Sequence, residues 1–479
     1  MKLYNTMSRQ VEEFVPLQDK KVGLYACGFT VYDFTHLGHL RKYTMDDVLI
    51  RTLRHAGYEV TFVQNVTDVG HLASDADTGE DKLEKGAKKY HKSVWDVARE
   101  FEEYFWRSMD LMGNLRPDHS TRATEYIAEQ IELVKTLEAK GYTYIIDGDG
   151  VYFDTSKLDD YGALARLDIE HLKEGARVET VPGKRNPTDF ALWKFERPGE
   201  DRAMSWPSPW SERGFPGWHI ECSAMAMAKI GPQLDVHTGG IDHIPVHHAN
   251  EIAQSEAATG KKPFVKYWVH HNFLQIEGEK MSKSLGNFYT IDDILQRNFD
   301  PMALRLLFLT GHYRSEMNFT WAALEGSQKT WNRLKTKVME LHAAGGPETE
   351  ASAQSTSPST GEQDYLTRFF EAMENDLHTS EALAVMWQVL KDETLSNQEK
   401  LRLLYQFDQV LGLGLEKLEA DEAGSIETKT LPAAVQKLIA DRQRARDDKN
   451  WQRADELRDE LYSLGYKVED TESGQKVTH

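Results

Sequence analysis

Apolar positions along this chain fall into short runs and helical stripes, and the earliest set is the most regular. Val22 to Ala26 is a short apolar run bounded by Gly28, which predicts a buried strand. Met45, Val48, Leu49, Leu53 and Ala56 recur at helical spacing, Gly57 stands where a helix end needs positive φ, and Tyr58 to Val63 resumes a strand pattern. The stretch predicts a βαβ unit. His36 and His39 stand where its loop enters the helix, with Gly38 between them. A helix N-terminus offers free N–H groups and a positive dipole end, so phosphate suits this place. Two histidines here also serve as plain helix caps, and both readings stay open.

Further on, a polar acidic run, SDADTGEDKLEKGAKKYHKS, predicts a surface loop, and Val94, Val97, Phe101, Tyr104 and Phe105 predict a helix after it. An amphipathic helix over 127–139 leads into GYTYIIDGDGVYFDT, two β runs around a DGDG turn that read as a hairpin. Helix and hairpin together read as an insertion. WPSPWSERGFPGWHIEC then feeds a helix beginning near Trp218; LDVHTGGIDHIPVHHANE reads as strand, glycine turn and helix, and FVKYWVHH as a further strand. Helical stripes dominate beyond Asp300, interrupted by a Gly, Ser, Thr and Pro rich segment at 343–363 that predicts a flexible loop. A second linker, EADEAGSIETKT, precedes two charged helices and a strand at Tyr466 to Asp470. There is no internal repeat.

Length, charge and cysteine count then narrow the chemistry. At 479 residues about three domains are expected. A hydrophobic share of 40% and a charged share of 28% are those of an ordinary soluble protein. No apolar run reaches the ~20 residues of a membrane span, and the N-terminus has no signal-peptide core, so a cytoplasmic protein is expected. The net charge of -20 excludes indiscriminate nucleic-acid binding and leaves only a local basic patch for it. Cys27 and Cys222 are the only cysteines. In a reducing compartment they are bystanders, nucleophiles or metal ligands.

A metal is one way to use them. Cys27 ends the first strand, Cys222 lies in the helix after the insertion, and His247 and Glu251 share one face of a helix. His248 would point about 100 degrees away, which selects His247 as the ligand of the pair. The four converge only if the two halves of the fold join in one sheet.

HLGH at His36 to His39 and KMSKS at Lys280 to Ser284 resemble the two signatures of the class I aminoacyl-tRNA synthetases. YACGFTVYDFTHLGHLR, PGWHIECSAMAM, HHANEIAQ and GHYRSEMNFTWAALEG resemble the cysteinyl-tRNA synthetase family within that class, with landmarks from Leu24 to Asp470. The resemblance implies an α/β fold: a Rossmann-like parallel-sheet catalytic domain at 1–118 and 206–275, split by a connective insertion at 119–205. It implies a KMSKS loop and stem-contact region at 276–330, a helical bundle at 331–415, a linker at 416–430 and a small α+β anticodon-binding domain at 431–479.

By the same resemblance the zinc ligands are Cys27, Cys222, His247 and Glu251, with one zinc per chain. His36, His39, Lys280 and Lys283 hold the ATP phosphates, Asp242 is the candidate for the ribose, and Mg2+ accompanies ATP. Trp218, His237 and His270 surround the substrate cysteine, and Arg446, Trp451, Asp455 and Asp470 read the anticodon of tRNA(Cys). The expected activity is ATP-dependent cysteine activation and transfer to tRNA by a monomer. A cysteine ligase acting on an amino sugar shares the activation site, and a non-catalytic zinc-bearing RNA-binding relic would keep only the fold. Phe29, Phe215 and Ala249 depart from the family pattern, and the stretch after Thr67 is long.

Thiol selection is the chemical reason for a metal. Sulfur and oxygen analogues are near-isosteres that a pocket of shape alone separates poorly, whereas a soft thiolate is a far better zinc ligand than an alcohol.

Overall fold

The computed structural model describes residues 1–70, 81–166, 181–197, 199–282, 285–345, 358–418, 433–448, 450–464, 466–471 and 474–478. It divides into two units, residues 1–334 with 356–413, and residues 335–355 with 414–479.

The first unit opens with a hairpin, β1 (Lys2–Asn5) and β2 (Gln10–Glu13), and then forms the expected βαβ unit from β3 (Lys21–Thr30), α1 (Leu37–His55) and β4 (Glu59–Thr67). β3 and β4 are parallel. Both are buried along most of their length, as strands covered on two faces must be.

Two helices follow, α2 (Lys82–Tyr90) and α3 (Val94–Leu111). α2 falls within the stretch expected to be a loop, which corrects that expectation. Asp81 caps it by accepting the N–H groups of Leu83 at 2.7 Å and Glu84 at 3.0 Å, and Leu83 is buried with Val97, Phe101 and Phe105. A cap and one anchoring leucine override the charged composition. The preceding residues 71–80 lie outside the described ones.

The insertion comprises α4 (Ile127–Ala139) and an antiparallel sheet of β6 (Thr143–Ile146), β7 (Gly150–Phe153), β8 (Phe190–Phe195) and β9 (Gly214–Pro216). Backbone pairing shifts both of its expected limits. β5 (His119–Arg122) is parallel to β4 and belongs to the main sheet, whereas Gly214–Pro216 pairs with β8.

The chain returns through α5 (Trp218–Lys229), β10 (Leu234–Gly240), α6 (His247–Thr259) and β11 (Val265–His271). The resulting five-stranded sheet has the order β11-β10-β3-β4-β5, so the two halves meet where β10 lies parallel to β3. From β3 the chain winds to one side and from β10 to the other. That reversal opens a crevice at the carboxyl ends of β3 and β10.

A three-stranded sheet of β12 (Leu274–Ile276), β13 (Glu279–Lys280) and β14 (Met317–Phe319) flanks the crevice, with α7 (Ile291–Gln296) and α8 (Pro301–Leu309) between its strands in sequence. The helices α9 (Trp321–Gly345), α10 (Thr360–Glu374), α11 (Thr379–Lys391) and α12 (Asn397–Leu411) follow. The expected bundle at 331–415 is not a separate body, because α10 to α12 share a unit with the catalytic sheet. Arg305 of α8, fully buried, explains part of that union: its guanidinium donates to Leu411 O at 2.7 Å, Met112 O at 3.0 Å and Asn114 Oδ1 at 2.8 Å, and pairs with Asp47 of α1. The ends of the expected flexible loop 343–363 are helical, Ser359 capping α10, while 346–357 lie outside the described residues.

The second unit contains α13 (Ala433–Asp447), α14 (Trp451–Ser463) and a hairpin of β15 (Lys467–Thr471) and β16 (Gly474–Thr478). Val435, Ile439, Leu461, Val468 and Val477 form its core. Of the expected linker 416–430, residues 419–430 lie outside the described ones and Leu415–Lys417 is a 3-10 turn.

Candidate active site and metal centre

β3 bulges between Ala26 and Phe29, the irregularity that aims Cys27 away from the regular pleat. Gly28 is required at the bulge: its N–H donates to Asn65 Oδ1 at 2.7 Å, and a Cβ there would sit 1.5 Å from Asn65 O. Cys27, Cys222, His247 and Glu251 are all buried, and one donor atom from each lies within 4.8 Å of the others. Ligand atoms around a tetrahedral zinc at ~2.0 to 2.3 Å bond lengths are separated by roughly 3.3 to 3.8 Å, so the set closes on one centre with small adjustments.

His247 is steered from behind. Its Nδ1 lies 3.0 Å from His219 Nδ1, and its Nε2 lies 3.0 Å from Glu251 Oε1. Burial opposes its charge, yet the Glu251 carboxylate and Cys222 raise it to about 10. Glu251 is held down to about 2 despite burial, by His237 and His247. The neighbouring Cys27, and then burial, push the Cys222 thiol up. Such mutual pulling among acids and bases is what a set of metal donors shows when its protons stand in for the cation.

His248 is not turned away from this centre, contrary to the helical-wheel expectation. Its Nε2 lies 3.3 Å from Cys27 Sγ, and Cys27, His237, His248 and Glu251 form a second set of donors within 4.8 Å. The cluster sits at the first turn of α6, where Cys27 reaches both rings. Gly239 makes room, since a Cβ there would lie 2.4 Å from His248 Cε1.

A cavity of about 520 Å³ runs from Cys27 and Gly28 past His36 and His39 to Lys280. His36 caps α1, with its Nδ1 accepting the N–H of Gly38 at 3.1 Å and of His39 at 3.4 Å, while the N–H of His36 donates to His39 Nδ1 at 3.4 Å. Both readings from sequence therefore hold at once: the histidines are caps, and they face the cavity. Burial lowers His36 to about 4; burial, His36 and Lys42 lower His39 well below its ordinary value. With Nδ1 accepting, a neutral ring carries its proton on Nε2, a donor free to meet an anion.

The other expected site residues divide. Asp242 and Lys280 line the cavity, and Lys283 lies outside the described residues. The Trp218 ring is half-buried and centred 4.5 Å from that of His247. His237 and His270 were expected to line the cleft, but are buried within the donor cluster and are not part of the cavity lining. His237 Nε2 lies 3.1 Å from Glu251, and His270 Nε2 and Nδ1 lie 2.7 Å from His248 and 2.8 Å from Thr6. The cavity wall is instead made by His243 and His271.

The departures have neighbours too. Phe29 sets its ring edge-on to His39 at 4.9 Å, and Phe215 lies under the Arg202 guanidinium at 3.7 Å. Ala249 is buried on the far side of α6, against a smaller cavity of about 240 Å³.

Sequence reading missed Lys42, Asp46, His271, His243 and His219. Lys42 and Asp46 continue the helical face of His39, and His271 takes the opposite strand face to His270, so both periodicities carried a signal.

In the second unit Trp451 is 57% exposed, which excludes a core role, and the Arg446 guanidinium lies 5.7 Å from its ring. Asp455 pairs with Arg458 at 3.2 Å. Asp470 lies on β15 opposite Gln475; its side chain is outside the described set. Among the described residues no helix is long and apolar enough to cross a membrane.

Comparison with known proteins identifies the family. Residues 13–329 match the family described as tRNA synthetases class I (C) catalytic domain, and residues 428–477 match the cysteinyl-tRNA ligase anticodon binding domain. A cysteine-tRNA ligase of Treponema denticola is 43% identical over 98% of this chain and 98% of its own length. One from Burkholderia lata is 45% identical over 99% and 96%. In fold the chain is similar to Mycobacterium tuberculosis methionyl-tRNA synthetase in complex with methionyl-adenylate, with a TM-score of 0.55, 16% identity and coverage of 84% and 92%.

Proposed function

This chain belongs to the cysteine-tRNA ligase family of class I synthetases, and on that premise we propose that it selects cysteine through a zinc ion held by Cys27, Cys222, His247 and Glu251. The observation that carries the reading is the convergence of those four donors beside a cavity that Cys27 shares with His36 and His39. Two thiolates favour this set over the histidine-richer alternative, because zinc in a site with sulfur donors prefers soft ligands. When bound, the zinc supplies a Lewis acid that takes a thiolate in preference to an alcohol.

Around that centre the protein's own groups position and discriminate. Trp218 walls the thiol subsite, His237 orients Glu251, and His219 orients His247. His36 and His39, neutral and donating from Nε2, hold ATP phosphates, with Lys280 and Lys283 closing from the KMSKS segment and Asp242 taking the ribose. Mg2+ arrives with ATP as part of the substrate. The substrate carboxylate displaces pyrophosphate from the α-phosphorus without an enzyme nucleophile, so catalysis consists of alignment and charge stabilisation. Arg446, Trp451, Asp455 and Asp470 contact the anticodon, an exposed aromatic face beside a cation being suited to unstacked bases. An amino-sugar ligase would have no use for that segment.

The test is cysteine-dependent exchange of pyrophosphate into ATP, with serine as control, followed by charging of tRNA. Exchange with cysteine, silence with serine and charging of tRNA(Cys) are expected. Equal exchange with both amino acids would remove the thiol-selecting role.

A further inference from the structure

Resting on the reading of the cavity as a cysteine-activating site, we propose that Lys42 binds the carboxylate of the amino-acid substrate. Lys42 belongs to neither signature; it lies on α1 in the helical turn after His39. Its Nζ donates to the backbone carbonyl of Cys27 at 2.8 Å and pairs with Asp46 Oδ2 at 2.7 Å, while Asp46 Oδ1 lies 2.8 Å from His271 Nε2. The side chain is only 12% exposed and that of Asp46 2%. Lys42, His39, His243 and His271 all line the large cavity.

Three facts turn this arrangement toward a ligand. An ammonium has three N–H groups; one donates to the Cys27 carbonyl, and Asp46 holds the charge as an ion pair. Asp46 meets His271 with Oδ1 and Lys42 with Oδ2, so it holds the ammonium at the cavity wall from one side. The position also matches the chemistry. Lys42 is tied to the carbonyl of Cys27, one of the proposed metal ligands, and lies one helical turn beyond His39, so it joins the proposed thiol and phosphate sides of one cavity. A substrate held by its sulfur beside Cys27 must place its carboxylate between those two sides to reach ATP. Among the described residues the cavity wall has one other lysine, Lys280, which is exposed on strand β13. Lys42 is the enclosed one, where a charge acts with less screening. Asp46 and the Cys27 carbonyl fix the long side chain beforehand, which lowers the entropic cost of binding.

The test uses the full-length, zinc-loaded protein and Lys42→Met. In pyrophosphate exchange the KM for cysteine should rise about 10- to 100-fold, the loss expected for one charge-assisted hydrogen bond. The KM for ATP should stay within about twofold. Lys42→Arg should recover part of the loss. Cysteamine, a thiol without a carboxylate, separates recognition from structure: its inhibition constant should be unchanged in Lys42→Met. If cysteamine weakens in parallel with cysteine, or the KM for cysteine does not move, the assignment is wrong. Should Lys42→Met not fold, Asp46→Asn decides, since it frees Lys42 and should raise the KM for cysteine without moving the cysteamine constant; an unaltered KM there overturns the proposal. Absence of cysteine-dependent exchange in the unmodified protein would instead remove the functional reading on which it rests.

Discussion

The imidazole of His36 stacks on that of His39 with centroids 3.6 Å apart and planes 24° from parallel, and each ring accepts a backbone N–H through Nδ1. The pair thus ends α1 and presents donors to the cavity in the same geometry. Replacing His39 with Ala should lower kcat for pyrophosphate exchange by about 10²- to 10³-fold, the loss typical of one preorganised donor to developing charge. Rapid-quench or exchange kinetics check this; a loss under tenfold would show that the donors do not meet the phosphates.

The same rings set a pH dependence of stability. His36 is lowered to about 4 and His39 also lies low, so between the unfolded value near 6.5 and the folded value the unfolded chain binds more protons. Their contribution is complete above pH 6.5 and declines as pH falls toward 4. Urea unfolding at pH 7.5, 6 and 5 should show a falling midpoint, with a shallower fall in His36→Asn.

Cys222→Ser should lose zinc and cysteine activation together, because an alcohol oxygen replaces one of two sulfur donors. Metal analysis alongside pyrophosphate exchange measures both. Full metal stoichiometry in that variant would refute the ligand assignment.

Arg305 is a different kind of residue, with no exposure and a partner in Asp47. Arg305→Leu should cost about 3 to 5 kcal/mol, since it strips the buried Leu411 and Met112 carbonyls and Asn114 Oδ1 of their guanidinium donor and leaves Asp47 with Arg51 as its remaining cation. Equilibrium unfolding gives the number; a change under 1 kcal/mol would mean that water replaces the guanidinium.

Trp451 stands 57% exposed beside Arg446. Trp451→Ala should raise the KM for tRNA about 5- to 100-fold, the range for losing one base stack, without altering pyrophosphate exchange. If charging is unaffected, the ring is not a stacking platform.

Much of this molecule follows from local rules. The apolar run at Val22, the stripe from Met45 to Ala56 and the glycine after it specify strand, helix and stop, because each depends on neighbours a few positions away. His36 at a helix start was legible for the same reason. α2 was not: its charged composition hid an aspartate cap and a single buried leucine whose partners lie on α3.

What only the tertiary structure decided is which distant residues share one space. Sequence singled out Cys27 and Cys222 by scarcity and His247 with Glu251 by period, but their meeting depends on β10 settling beside β3. The wheel angle that set His248 aside describes one helix in isolation, and the β3 bulge brings Cys27 within 3.3 Å of it. Lys42 gained its place in the same way, from a carbonyl on one strand and, through Asp46, a histidine on another. Spacing along a chain determines what lies on one face of an element; the packing of elements determines what that face meets, and sheet order carries that information through contacts far apart in sequence.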